Sequence, residues 1–282
     1  MSLTSLILKF AAPIPKLESF DRFLFIGPHP DDLEIGSGAA AGKLVQAGKH
    51  VTFLICLDGR YGDGLSGGVK GEALVSLRRE EAVQSAALLG VKDVLFLGKR
   101  AGAVLALPAD EMTEAEPLCD GGFYTMAELL QGIADAVTRT QPDVLFGPDP
   151  LSRSECHRDH LNVGNAVRQI ACFAPYPGIM SRYSSGSPEI GKAGAKVQAA
   201  AFYMTARPNQ FIRTSGMLLK TQLESIAAHR SQFPPKSEEL KSVSTYLKLR
   251  SLNFGLHRAG LHGEGFRVYG QTQMHCLPEA GE

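Results

Sequence analysis

The sequence predicts an α/β fold, a mostly parallel sheet with helices on both faces. Three observations carry that reading. Short, continuous apolar runs at 23–27, 50–59 and 93–98 have the length and composition of strands buried on both sides. The segments between them read as helices, at the spacing that a right-handed crossover between parallel strands requires. The helix expected after the first run, "SGAAAGKLVQAGK", is rich in the small residues that let a helix lie close on a sheet.

Taken in order, "FLFIG" is the first strand and "HVTFLICLDG" the second. A glycine-rich loop, "RYGDGLSGGVKG", leads to the charged helix "EALVSLRREEAVQSAALLG", and "DVLFLG" is the third strand. Residues 100–122 break this rhythm with acids, prolines and a Gly-Gly pair, and read as an inserted loop. A helix is expected over about 125–140 and a fourth strand over 142–147. The loop "PDPLSRSECHRDH" follows, then the helix "LNVGNAVRQIACF". Residues 174–195 read as a long surface loop and "VQAAAFYM" as one more strand. Two final helices are expected, "GMLLKTQLESIAAHRSQF" and about 237–253. No internal repeat or long linker divides the chain, so 1–282 is expected to form a single domain.

Composition removes several functional classes. The chain has 282 residues, 44% of them hydrophobic, with 29 basic residues balancing 29 acidic ones. That balance leaves no electrostatic footprint for nucleic acid. No apolar run approaches the 18 residues of a membrane span, and the start lacks the pattern of a secretory signal, so a cytoplasmic protein is expected. Five cysteines without a CxxC pair suit reduced thiols better than a disulfide framework. Cys156 adjoins His157, but sequence neighbours rarely face each other as nucleophile and base.

The chemistry lies at two strand ends. "HPDD" directly follows the first strand and "HRDH" closes the loop after the fourth. In a doubly wound sheet, ligand sites form beyond the carboxyl ends of the strands, so His29, Asp31, Asp32, His157, Asp159 and His160 can converge on one pocket. Alone, the acids of "HPDD" read as an ordinary helix cap. Paired with "HRDH", they match the needs of a catalytic zinc site: two histidines and a carboxylate as ligands, an open position for water, a separate base and an oxyanion donor.

"PHPDDLEIGSGAAAGKL" together with "HRDHLNVGNAV" resembles the PIG-L/LmbE-like family of zinc-dependent N-deacetylases. "RREEAVQSAALLGV", "RPNQFI" with "LESIAAHRSQ", and "GEGFRVYG" extend the resemblance over roughly 22–270, with 100–122 and 174–195 as insertions. The resemblance implies a Rossmann-like three-layer sandwich and the removal of acetyl from an N-acetylglucosamine-type small-molecule conjugate. It implies His29, Asp32 and His160 as ligands of zinc or another divalent metal, and Asp31 as general base. His157 matches the histidine that stabilises the oxyanion or protonates the leaving amine, with Asp159 beside it as an orienter. His160 starts a helix, whose dipole favours the neutral imidazole that a metal needs. Arg78 has two readings, a contact to a substrate hydroxyl or phosphate and a solvated pair with Glu81. His229 is expected to be structural or at the rim.

Two positions depart from the family pattern: Arg158 stands where proline is usual, and Arg213 where Asp is frequent. Both bear on the substrate. Two other readings stay open, an amidase cleaving a different acyl group from a sugar or antibiotic conjugate and a non-catalytic, Rossmann-like nucleotide-binding module. So does the assembly, a monomer or a homo-oligomer.

Overall fold

Each apolar run closes into a parallel ladder. In the computed structural model, which describes Ile7 and residues 11–183 and 194–275, β1 (Arg22–Gly27) lies between β2 (His50–Ile55) and β6 (Val144–Pro148). β3 (Asp93–Arg100) continues the sheet beyond β2, and β7 (Ala199–Tyr203) beyond β6, all in parallel. The period-2 alternation of β1 divides its side chains between two cores. Leu24 and Ile26 join Leu145 and the helix residues Ile133, Val163 and Val167. Phe23 and Phe25 join Phe53, Phe146 and the helix residues Leu33 and Leu44 on the opposite face.

The helices on these faces are α1 (Asp32–Gln46), α2 (Gly71–Leu88), α3 (Met126–Thr140), α4 (Arg158–Phe173), α5 (Pro177–Tyr183), α6 (Gly216–Ala228), α7 (Glu238–Leu256) and α8 (Gln271–His275). The small residues of α1 do what their size suggests. Gly36 lies directly under the ring of Tyr203, whose hydroxyl donates to the Ile26 carbonyl at 2.8 Å. Any side chain at 36 would displace that ring and loosen the join between α1 and β1. No described helix is long and apolar enough to cross a membrane.

Residues 100–122 are not simply an inserted loop. β4 (Ala103–Pro108) and the short β5 (Glu116–Pro117) both pair antiparallel with β3. The run "AVLALP" buries Val104, Ala106 and Leu107, while the Gly and acidic residues on either side mask it as a strand. The expected surface loop at 174–195 contains helix α5; its residues 184–193 lie outside those described. Two late strands complete the sheet. β9 (Gly263–Gly270) pairs antiparallel with β7 through one half and with β8 (Gln210–Arg213) through the other.

The full order is β4-β3-β2-β1-β6-β7-β9-β8, a mixed sheet with a parallel centre. From β1 the chain moves outward to β2 and β3, then returns to β6 on the other side of β1. This reversal opens a crevice at the carboxyl ends of β1 and β6, the strands that carry "HPDD" and "HRDH".

Candidate active site

The turn leaving β1 must place three polar side chains within four residues, and it does so with an unusual backbone. Asp31 has φ 118° and ψ −26°, a left-handed conformation that a residue with a Cβ adopts at a cost of about 1–3 kcal/mol. The twist separates the two adjacent carboxylates. Asp32 opens α1 and turns inward, where its Oδ2 meets His29 Nδ1 at 3.0 Å and accepts the His29 backbone N–H at 2.9 Å. Asp31 turns the other way and meets Arg78 at 3.2 Å.

The second cluster enters at the start of α4. His160 Nε2 lies 3.4 Å from Asp32 Oδ1, so Asp32 links the two motifs. His29, Asp32 and His160 each offer a ligand atom, and these three atoms lie within 4.8 Å of one another. His157 stacks on His160 with ring centroids 4.8 Å apart and meets the edge of His29 at 5.0 Å. Its Nδ1 caps α4 by accepting the backbone N–H of Asp159 at 3.3 Å.

The electrostatics explain why this crowding is stable. Burial alone lowers the proton affinity of His29, but hydrogen bonds to Asp159 and Asp32 outweigh it and hold the imidazole up to about 10. His160 is held up to about 9 in the same way, its burial outweighed by Asp32 and aided by Glu155. Asp32 is held well below the usual carboxylate range, the two imidazoles overcoming its burial. Nearby carboxylates act on His160 more strongly than the helix dipole, because they are closer and carry full charges. The cluster thus calls for positive charge at its centre.

Residues 24–171 match the family model described as PIG-L, GlcNAc-PI de-N-acetylase. The chain belongs to the PIG-L family. It is accordingly an amide hydrolase of the N-deacetylase class. The diacetylchitobiose deacetylase of Thermococcus kodakarensis is 29% identical over 92% of this chain and 87% of its own length. A 1D-myo-inositol 2-acetamido-2-deoxy-alpha-D-glucopyranoside deacetylase of Thermomonospora curvata is 26% identical over 71% of this chain and 64% of its own. The solved N,N'-diacetylchitobiose deacetylase of Pyrococcus horikoshii superposes with a TM-score of 0.77 at 25% identity, covering 99% of this chain and 97% of that one.

Within this PIG-L site two residues act differently from their sequence expectation. Asp159 orients a histidine, but that histidine is His29. Its fully buried carboxylate meets His29 Nε2 at 3.0 Å and accepts from Gly121 N–H at 2.7 Å and from the Tyr124 hydroxyl at 2.8 Å. These donors and His29 outweigh burial and hold Asp159 down to about 2. Arg78 does not form the solvated pair with Glu81. It is 4% exposed and its guanidinium donates to Gly59 O, Pro30 O and Asp31, which places it beside the Asp31 carboxylate. Glu81 binds the backbone N–H and hydroxyl of Ser231 instead.

The remaining flagged residues sort by position. His229 is fully buried, 3.5 Å from Glu34, which fits a structural part. Arg158 lies at the rim against Gly122, while Arg213 lies on β8 against Gly260, at the far end of the sheet. Glu155 escaped the sequence reading: it accepts the His157 backbone N–H at 2.7 Å and meets His160 Nδ1 at 3.0 Å. Its place in "SECHRDH", two residues before the motif, was the available signal. Tyr124 and Gly121 gave none, because their contacts to Asp159 cross more than 30 residues of chain.

Carboxylates that orient ligand histidines typically contribute ten- to a hundredfold in metal affinity. With His29 as a metal ligand, Asp159→Asn is expected to weaken metal binding by roughly that factor, with Tyr124 and Gly121 still in reach of the amide. Competition with a chromophoric chelator measures it; an unchanged affinity would leave Asp159 as packing only.

Proposed function

We propose that this PIG-L protein removes the acetyl group from an N-acetylglucosamine-type conjugate with the help of a divalent metal, zinc, held by His29, Asp32 and His160. One arrangement carries the reading: three ligand atoms within 4.8 Å of one another, with the Asp31 carboxylate beside them and held apart by Arg78. Two imidazole nitrogens and a carboxylate oxygen are a donor set that suits zinc and leaves a position open for exchange. Bound there, zinc would polarise the amide carbonyl and make a water more acidic.

The protein's own groups divide the remaining work. Arg78 occupies Oδ2 of Asp31, so the other carboxylate oxygen is the one that takes the proton of the attacking water. Burial pushes Asp31 up to about 6, with Asp32 adding to the rise and Arg78 opposing it, which suits a base working near neutrality. The Nδ1 of His157 already accepts a backbone N–H, so the proton of its neutral ring resides on Nε2. That N–H donates to the carbonyl oxygen as negative charge develops there. The water oxygen bonds to the acetyl carbon, the C–N bond breaks, and the amine nitrogen takes up the proton, yielding acetate and a free amino sugar.

The same reading takes the sheet and its two faces as a Rossmann-like three-layer sandwich forming one domain. It also disfavours nucleotide binding, since acids occupy the first turn, where a phosphate would need backbone donors. Incubation with a panel of N-acetylglucosamine conjugates is expected to release amine and acetate in equal amounts. A chelator should abolish this release and added zinc should restore it. Release that ignores the chelator, or amine from other acyl conjugates but none from acetyl ones, would overturn the proposal, the latter in favour of the amidase reading.

A further inference from the structure

Two large aromatic side chains stand exposed where the crevice opens. Tyr61, in the loop after β2, is 59% exposed and Phe123, in the segment after β5, is 69% exposed. Their ring centroids lie 5.5 Å apart at an interplanar angle of 58°. Both rings also flank Gly121, where a Cβ would meet each of them at 3.4 Å. Gly121 is the residue whose N–H holds Asp159, and Asp159 holds His29. The aromatic pair is thus three steps away from His29.

Hydrogen bonds tie down the ledge under these rings. Tyr61 N–H donates to the Asp120 carboxylate at 3.3 Å, and Asp120 N–H donates to Asp58 at 3.3 Å. Arg60 clamps Asp58 through Nε at 2.7 Å, while Gln232 donates to the Gly62 carbonyl at 2.7 Å. Backbone pinned from both sides, carrying rings that stay in water, is an arrangement that folding alone does not reward. It is preorganised for something flat and partly apolar.

We propose that Tyr61 and Phe123 form a stacking platform for the sugar ring next to the acetylated one. The inference rests on the deacetylase reading and names the part of the substrate that the reading leaves open. A pyranose has a face of C–H groups and a rim of hydroxyls. An aromatic ring covers the face while the hydroxyls keep water or polar neighbours. Arg158 supplies such a neighbour: its guanidinium lies against Gly122, where a Cβ would meet its Nε at 3.2 Å. The acetylated ring must reach the His29–Asp32–His160 cluster, so the unit joined to it extends over the ledge. The platform therefore selects for a conjugate that continues as a sugar and gives little to a single ring with a small aglycone.

The chain contains no tryptophan, so Phe123→Trp places a single indole reporter on the platform. Its fluorescence is expected to shift and saturate with N,N'-diacetylchitobiose but not with methyl N-acetylglucosaminide. In parallel, the Tyr61→Ala, Phe123→Ala double variant should lose roughly tenfold in kcat/KM for the disaccharide relative to the methyl glycoside, the size of a lost aromatic contact. The loss should reside in KM, and the single variant Tyr61→Phe, which keeps both rings, should show none of it. An indole that ignores the disaccharide, or an equal loss on both substrates, overturns the platform. An indole that responds while wild-type protein releases no amine overturns the deacetylase reading and leaves the platform standing.

Discussion

Asp31→Ala is expected to reduce kcat by roughly 10²–10⁴ and to leave the bound metal in place. The expectation follows from how the turn after β1 splits two adjacent acids. Asp32 faces both imidazoles, whereas the Asp31 carboxylate faces the Arg78 guanidinium, 3.2 Å away. On the proposed roles, removing the Asp31 carboxyl takes away the proton acceptor and leaves the ligand set whole. Alanine also adopts φ 118° poorly, so Asp31→Asn is the cleaner partner: asparagine tolerates left-handed backbone and keeps the contact to Arg78. Both variants should lose kcat with little change in KM. A loss of only a few fold in both would mean that the proton goes elsewhere.

His29→Ala should abolish activity by a different route, through the metal. His29 is the member of the cluster held from both sides, by Asp32 at Nδ1 and by Asp159 at Nε2, each at 3.0 Å. Those two carboxylates fix the ring plane, so its removal takes out a ligand and leaves two buried acids facing each other. The remaining His160 and Asp32 offer two donors, too few for the three protein ligands of a catalytic zinc site. Turnover should fall below detection, and excess zinc should recover only a small fraction of it.

Much of this was legible in the sequence, for physical reasons. Strands buried on both faces must be continuously apolar, so "FLFIG" and "PDVLFG" announced themselves, and the acids and histidines directly beyond the first and at the end of the loop after the second stood out by contrast. β4 did not, because its short apolar run lies between turn residues and acids, and its antiparallel pairing with β3 is a tertiary fact. The same holds for the outer partners in the site. Which acceptors claim Arg78 depends on where the loop at Gly59 passes, and the Asp159 carboxylate reached His29 instead of its neighbour His157 because α4 turns that side chain inward. The partner of His160 in the site is Asp32, 128 residues away in the chain yet 3.4 Å away in space.

The division of labour between two neighbouring aspartates is the centre of the account, and metal content measures it most directly. Elemental analysis of wild type, Asp31→Ala, Asp32→Ala and His29→Ala, purified side by side, should find close to one divalent ion per chain in the first two. Asp32→Ala and His29→Ala should retain almost none. Metal kept by Asp32→Ala and lost by Asp31→Ala would contradict the assignment and exchange the roles of ligand and base.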